Sequence, residues 1–275
     1  MSQAVKYKES PPDFSGGKKS RAFEIIFFIL SAALIVYVVY PIANIITVIQ
    51  PGTFMESITK PQISEAFFLS LSTATVSTLL LAIFGIPLAY FLARHNFPGK
   101  FVIRAIIIVP LIIPPLASGT LLLGTFGPYT AIGRSVPMEF TQSAAGIIIA
   151  QTYVSSPFMI LLALTAFESV DESYEKVARI LGKGRFNTFL TVSLPLARTG
   201  IIAGIIMTWV RSVGELGATM MIAYNPHTVS IQIFENNAIG GIQSTVPLIL
   251  LVILLSVFVI GIFSIVRKEG LKLGW

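Results

Sequence analysis

The side chains best suited to chemistry are two charged residues inside an apolar stretch. Arg211 and Glu215 are four positions apart, so on an α-helix they share a face and can form an ion pair. Burying a charge in a membrane is expensive, which makes these residues candidates for a functional site. A polar stripe follows the same face at positions i, i+4, i+7 and i+11, formed by Thr208, Ser212, Glu215 and Thr219.

Two interpretations of this face stay open from the residues alone. Either the ion pair neutralises itself and fixes helix packing, or the face borders the path or gate of a transported solute. A path for an anion would favour hydroxyl donors and a partly compensated arginine, whereas a lone glutamate would repel the anion. Gly200 and Gly204 allow a neighbouring helix to approach closely.

A second candidate site is the only long charged segment in the second half of the chain, residues 168–195. Its apolar residues have the spacing of one helical stripe. The members of the stripe are Val170, Tyr174, Val177, Ala178 and Leu181. The charged residues on the other faces are Asp171, Glu172, Glu175, Lys176 and Arg179. The segment therefore predicts a short amphipathic helix.

Local signals mark both ends of this helix. Ser169 with Glu172 would form a capping box, and Asp171 is a competing cap. Gly182 supplies a stop at the C-terminal end. From pattern alone, such a helix either lies on a lipid surface or docks into a groove of a soluble partner.

The composition is that of an integral membrane protein. Of 275 residues, 54% are hydrophobic and only 12% are charged, about half the usual charged fraction. The apolar residues gather in runs long enough to cross a bilayer, about 20 residues each. The chain contains no Cys, which excludes disulfides, thiolate metal sites and cysteine nucleophiles.

We expect an all-α fold with six transmembrane helices and a cytoplasmic helix between spans four and five. Residues 1–21 are predicted to form a flexible cytoplasmic tail, and residues 22–275 the transmembrane domain. The spans are predicted near residues 23–49, 66–93, 101–126, 144–167, 199–224 and 245–266. Pro110, Pro114 and Pro115 should kink or break span three. The polar stretch 225–244 is predicted to be a loop.

The distribution of Lys and Arg predicts the orientation. Sixteen of the 19 basic residues fall on the side that holds both termini and residues 168–195. The positive-inside rule places that side in the cytoplasm of a plasma-membrane protein. The net charge of +6 is explained by this asymmetry, so it does not indicate nucleic-acid binding.

Several chemistries lack their sequence signals. No complete phosphate-binding Gly-x4-Gly-Lys-Ser/Thr motif is present, so we expect no ATP hydrolysis by this chain. His95 and His227 fall in predicted loops far apart in sequence, and neither has a neighbouring pattern typical of a metal site. We expect neither a metal site nor a catalytic residue.

The charged segment resembles the cytoplasmic coupling loop of ABC-transporter permeases. The family signature is Glu-Ala-Ala, three residues, Gly, nine residues and Ile-x-Leu-Pro. The matching positions here are Lys176, Val177, Ala178, Gly182, Val192, Leu194 and Pro195. Lys176 replaces a glutamate and reverses a charge. The resemblance implies an ATPase-docking helix made of Tyr174, Glu175, Lys176, Val177, Ala178, Arg179, Leu181 and Gly182.

Two further stretches are similar to the molybdate/tungstate and sulfate permeases of that class. One runs from Arg211 to Asn225, with Leu216 where an aromatic residue is common. The other contains Pro110, Pro114 and Pro115 and extends to Pro128. The resemblance implies a permease subunit of an importer for tetrahedral oxyanions, with molybdate or tungstate expected first.

This resemblance also implies the partners. They are a second copy of the chain, two cytoplasmic ATP-binding subunits that carry ATP and magnesium, and an extracytoplasmic oxyanion-binding protein. The alternatives are a sulfate or thiosulfate ABC permease, a secondary transporter driven by an ion gradient, and a membrane scaffold whose amphipathic helix binds lipid. No cofactor is expected on this chain.

Overall fold

The computed structural model describes residues 17–48, 54–56 and 59–272, and all regular structure in these ranges is helical. Helix α1, Gly17–Val48, belongs to a separate unit that comprises residues 1–49. Its large apolar side chains are exposed from Phe23 to Ile42, as expected of a helix whose solvent is lipid. The predicted tail falls largely on residues 1–16, which lie outside the described residues, and α1 already begins at Gly17.

The second unit, residues 50–275, contains the remaining elements. They are α2 Pro61–Arg94, α3 Lys100–Ile112, α4 Pro115–Phe126, α5 Ala131–Ser135, α6 Ala144–Glu168, α7 Glu172–Ile180, α8 Arg185–Thr188, a π-helical segment Phe189–Ser193, α9 Leu194–Val213, α10 Gly217–Ile222 and α11 Val229–Lys272.

Five helices in the described ranges are long and apolar enough to cross a membrane. The pair α3 and α4 makes a sixth span if it is counted as one, although the two helices meet at a bend of 113°. The break falls at Ile113 and Pro114, where proline removes a backbone donor. The predicted all-α membrane fold is confirmed, and the proline cluster breaks span three as expected.

Helix α6 is the centre of the second unit and packs most extensively against α2 and α9. Small residues let α6 and α9 approach closely, because a Cβ at Gly200 would lie 2.5 Å from the Cβ of Ala166. Gly204 also faces α6, but a Cβ there would lie 3.4 Å from Leu162 Cβ, an ordinary contact distance. The close helix neighbour predicted for Gly200 and Gly204 is therefore α6.

The short helices α4 and α10 pack against each other. A Cβ at Gly119 would lie 2.6 Å from the carbonyl oxygen of Ala218, and one at Gly217 would lie 2.7 Å from Pro115 Cβ. Backbone approaches of this kind require glycine. The predicted membrane spans are interrupted after α3 and after α9, and the tight contact between α4 and α10 joins these two breaks.

Two predicted boundaries are wrong. Span five is not continuous to residue 224, because α9 ends at Val213 and Gly214 leads into a break before α10. Residues 229–244 are not a loop but the first part of α11, which kinks at Gly241 with a φ of 67°. The backbone N–H of Val229 donates to the Ser70 hydroxyl of α2 at 2.8 Å, a tertiary contact that polarity alone does not reveal.

Candidate functional site

The amphipathic helix predicted from the charged segment is α7, and its two ends are held by local hydrogen bonds. Asp171 is the N-cap, since its carboxylate accepts from the Ser173 N–H at 2.7 Å. That backbone hydrogen bond lowers the pKa of Asp171. The predicted capping box does not form, because the Ser169 hydroxyl donates to the carbonyl of Ala166 at the end of α6. Gly182 stops the helix at φ 88°, as predicted.

The apolar stripe predicted for α7 separates into a buried part and an exposed part. Val170, which precedes the helix, and Ala178 are buried against the rest of the unit. Tyr174, Val177 and Leu181 are 58%, 55% and 78% exposed. Exposed apolar side chains this close together typically mark an interaction surface. We call Tyr174, Val177, Ile180 and Leu181 the apolar face of α7.

A network of hydrogen bonds joins the opposite side of α7 to two other elements. Oε1 of Glu175 lies 2.7 Å from Nε of Arg94, at the end of α2. The Tyr90 hydroxyl donates to the same carboxylate at 3.0 Å, and the Ser193 hydroxyl of the π segment donates at 2.7 Å. Arg94 Nη2 also donates to the carbonyl of Val170 at 3.0 Å. We call Glu175, Arg94, Tyr90 and Ser193 the Glu175 network.

The environment of Glu175 favours its ionised form. Burial by itself raises the pKa of Glu175, but the hydrogen bonds from Ser193 and Arg94 and the positive charge of Arg94 outweigh it. The net effect lowers the pKa of Glu175 below its ordinary value. The Arg94–Glu175 pair takes part in four hydrogen bonds, and the two side chains are only 8% and 12% exposed. The polar groups of this nearly buried ion pair are therefore well satisfied.

Sequence reasoning missed the partners of Glu175. Arg94 served only as one of the basic residues that predict orientation, and Tyr90 and Ser193 carried no signal. Lys176, which occupies the glutamate position of the family signature, points elsewhere and lies 3.6 Å from Glu172 as an exposed pair. Glu175 therefore supplies the anchored carboxylate one position earlier than the signature predicts.

The intramembrane pair is formed as expected, but at a corner of the chain. Arg211 Nη1 lies 2.5 Å from Glu215 Oε2, although Glu215 follows the end of α9. The other oxygen of Glu215 accepts from the Ala218 N–H at 2.8 Å, which satisfies a free donor at the start of α10. Glu215 thus holds the two sides of the break together. We call Arg211, Glu215 and Ala218 the α9–α10 corner.

The predicted polar stripe lies inside the packed unit. The side chains of Thr208, Ser212 and Thr219 are fully buried, and the Ser212 hydroxyl is hydrogen-bonded to Ser155 of α6 at 2.9 Å. Among the described residues, the hydroxyls of Thr208 and Thr219 find no hydrogen-bond partner. Among the predicted path residues, Arg211 reaches furthest to the surface, with 28% of its side chain exposed against 1% for Glu215.

The two histidines lie apart in the structure. His227 pairs with Glu235 at 2.9 Å, and His95 stacks on Phe91. Within the described part of the chain, no group of three or more His, Cys, Asp or Glu residues could hold a metal ion.

A family described as "Binding-protein-dependent transport system inner membrane component" matches residues 85–269. The chain belongs to this family. The permease is 39% identical over 225 residues to a protein of Haloferax volcanii named a probable molybdenum ABC transporter permease. That match covers 82% of the permease and 83% of the relative.

Other relatives and solved structures agree with this assignment. The permease is 38% identical over 246 residues to a molybdate/tungstate transport system permease of Thermococcus kodakarensis, which covers 88% and 94% of the two chains. A bacterial ABC importer of the acidic polysaccharide alginate shares the fold with a TM-score of 0.70 at 16% identity, over 91% of the permease and 98% of that chain. The inward-facing methionine ABC transporter gives a TM-score of 0.60 at 17% identity, over 75% and 95%. The resemblance to ABC permeases is confirmed.

Proposed function

We propose that the permease is the transmembrane subunit of an ATP-driven importer for tetrahedral oxyanions, molybdate or tungstate first. The observation that carries this proposal is the apolar face of α7 within a chain whose relatives are named as molybdenum or molybdate/tungstate permeases. The exposed face fits a groove on a soluble partner, and the relatives' names supply the substrate class. A sulfate or thiosulfate permease is the alternative within the same class.

The proposed subunits of this importer follow from the binding-protein-dependent transport family to which the chain belongs. ATP and magnesium would bind two ATPase subunits in the cytoplasm, each receiving α7 of one permease copy. Two copies of the permease would face each other and together form the path. An extracytoplasmic binding protein would deliver the oxyanion. The solved alginate importer, described in complex with its substrate-bound periplasmic protein, is one example of such an assembly.

The Glu175 network gives the coupling step a physical route. ATP binding favours the closed state of the ATPase pair, and that differential affinity is the driving force. The apolar face of α7 would receive the motion, and Glu175 would pass it to α2 through Arg94 and to α9 through Ser193. Because a hydrogen-bonded ion pair resists separation, α7 and the ends of both spans would move together.

The α9–α10 corner is the proposed gate or path element. Thr208, Ser212 and Thr219 are packed inside one chain, so they would support the corner rather than contact the anion directly. Arg211 would be the residue of the corner that faces the path, and the carboxylate of Glu215 would partly neutralise its charge there. A cation held by a neighbouring carboxylate attracts a dianion without trapping it as strongly as a lone arginine would.

The test is ATP hydrolysis by the permease in proteoliposomes with its cognate ATPase and binding protein. We expect stimulation when the binding protein is loaded with molybdate or tungstate. Stimulation by sulfate alone would preserve the ABC class and overturn the substrate. Uptake that persists without any ATPase subunit would instead favour a secondary transporter driven by an ion gradient.

A further inference from the structure

Two cavities, one polar and one apolar, adjoin each other near the end of α2. The polar cavity has a volume of about 200 Å³ and is bordered by α7, α8 and the end of α2. The apolar cavity has a volume of about 330 Å³ and is lined by Pro87, Tyr90, Arg185, Phe186 and Phe189. Tyr90 and Arg185 border both cavities. We call the two cavities together the α2–α8 groove.

The polar cavity carries an excess of positive charge. Its two carboxylates are already paired, Glu175 with Arg94 at 2.7 Å and Glu172 with Lys176 at 3.6 Å. Two further basic residues border it, Arg179 and Arg185. In the described ranges, no carboxylate lies within ion-pair distance of either arginine. Leaving His95 aside, two positive charges remain uncompensated, and guanidinium groups are well suited to bind phosphate oxygens.

The groove follows α2 from the membrane interior towards its boundary. Pro87, Tyr90 and Arg94 are spaced i, i+3 and i+7, so they share one face of the helix. At 1.5 Å per residue, Pro87 lies about 10 Å from Arg94 along the axis. One candidate membrane span ends at Arg94, and another begins at Arg185. The polar cavity therefore lies at the level of lipid headgroups, and the apolar cavity lies at the edge of the hydrocarbon.

The protein leaves part of the apolar cavity uncovered. Phe186 is 71% exposed, and Leu190, one turn further along, is 42% exposed. Phe189 is partly buried, and its ring packs against Tyr90 with the centroids 4.8 Å apart. Exposed aromatic side chains beside basic ones are typical of contacts with lipid at a membrane boundary. An acidic segment of a soluble protein would pair with the arginines but would leave the apolar cavity empty.

We propose that the α2–α8 groove binds an anionic phospholipid. Its phosphate would contact Arg179 and Arg185, and an acyl chain would enter the apolar cavity beside Phe186 and Phe189. Basic pockets between membrane-spanning helices bind anionic headgroups in this way. A zwitterionic lipid would bring its cation into a cavity that already has an excess of positive charge. The inference goes beyond the proposed function, because it depends on the membrane location of the family and not on the transported solute.

The experiment measures lipid binding to the full-length permease by native mass spectrometry, with and without its cognate ATPase subunits. The protein in detergent is titrated with palmitoyl-oleoyl phosphatidylglycerol or with the matching phosphatidylcholine. We expect wild type to bind phosphatidylglycerol more tightly. Arg185→Gln should weaken phosphatidylglycerol binding about tenfold, and phosphatidylcholine binding less, because one charge-assisted contact is lost. Lys183→Gln is the charge-matched control, since Lys183 donates to Thr191 and borders neither cavity.

A second variant tests the apolar part of the groove separately. Phe186→Ser should weaken the binding of both lipids severalfold, because apolar contact with the acyl chain is lost. The exposure of Phe186 means that this variant should fold, and the unfolding temperature without added lipid checks it. Glycerol 3-phosphate carries the anion without acyl chains, so it should not displace phosphatidylglycerol.

Four results would overturn the proposal. The first is equal affinity of wild type for the two lipids. The second is equal phosphatidylglycerol affinity in wild type, Arg185→Gln and Phe186→Ser. The third is displacement by glycerol 3-phosphate at a concentration similar to that of the lipid, which would indicate a site for small anions. The fourth is absence of lipid binding in the assembled complex, which would mean that the ATPase or a second copy of the chain fills the groove. Oxyanion-stimulated ATP hydrolysis tests the proposed function independently.

Discussion

The permease uses the same chemistry, an arginine–glutamate pair, in two regions with different consequences. In the Glu175 network the partners are 81 residues apart in sequence, and the carboxylate joins α7, α2 and the π segment. In the α9–α10 corner the partners are four residues apart, and the carboxylate connects only neighbouring parts of one chain segment. The first arrangement links elements that would move together in the proposed coupling step, and the second fixes a local bend.

The largest effect is expected from removing one partner of the Glu175 network. Arg94→Met leaves a nearly buried carboxylate without its cation, which should destabilise the permease by about 3 kcal/mol. Glu175→Gln should have a smaller effect, because the amide oxygen can still accept from Ser193 and the amide NH2 group can donate to the Tyr90 hydroxyl. Thermal unfolding in detergent measures both. If Arg94→Met unfolds at the wild-type temperature, the network does not hold α7 in place.

A smaller effect is expected at the α9–α10 corner. Arg211→Met should destabilise by about 2 kcal/mol, less than Arg94→Met, because it removes one contact to Glu215, whereas Arg94→Met removes contacts to both Glu175 and the Val170 carbonyl. Glu215→Gln should be milder still, since its amide oxygen can accept from Ala218. The same unfolding measurement gives the ranking. If a corner variant destabilises the permease more than Arg94→Met does, the comparison between the two regions is reversed.

The packing behind the corner offers a matched pair of substitutions on α4. Gly119→Ala places a Cβ 2.6 Å from the carbonyl oxygen of Ala218, so α4 and α10 must move apart. We expect the free energy of unfolding to fall by about 1–2 kcal/mol. Gly124→Ala is the control, because no described residue has an atom within 4 Å of a Cβ at this position. Unfolding temperatures should fall for Gly119→Ala alone. Equal unfolding temperatures for the two variants would mean that α4 and α10 can move apart to accept the added methyl group without loss of stability.

The smallest effect concerns pH. The pKa of Glu175 is lower in the folded permease than the value of about 4.3 expected when unfolded. Its stabilisation is therefore present above pH 4.3 and lost as pH falls through the folded pKa. We expect the stability difference between wild type and Glu175→Gln to shrink on acidification from pH 7 to pH 3.5. A difference that is constant over this range would contradict the lowered pKa.

Local patterns predicted what local physics determines. Gly182 stops α7 and Arg211 meets Glu215 because local spacing along the chain fixes these contacts. Gly200 and Gly204 predicted a close helix neighbour, although only the fold shows that this neighbour is α6. The Glu175 network could not be predicted in this way, because the side chains that donate to Glu175 lie on a helix distant in sequence and on the π segment.

The start of α11 escaped prediction for the same reason. Its first residues are polar enough to be taken for a loop, yet Ser70 of α2 binds the first N–H of the helix. The division of α7 into two faces also depends on tertiary packing. Periodicity placed Ala178 and Leu181 on one stripe, whereas the fold buries the former and exposes the latter.

The most direct test of the coupling account is the number of molybdate ions imported per ATP hydrolysed in proteoliposomes containing the complete importer. We predict that Glu175→Gln retains ATP hydrolysis but lowers this ratio severalfold, because the neutral amide no longer holds Arg94 as an ion pair. Glu139→Gln, an exposed residue outside both regions, is the charge-matched control and should keep the wild-type ratio. An unchanged ratio in Glu175→Gln would show that the motion of α7 reaches the spans by another route.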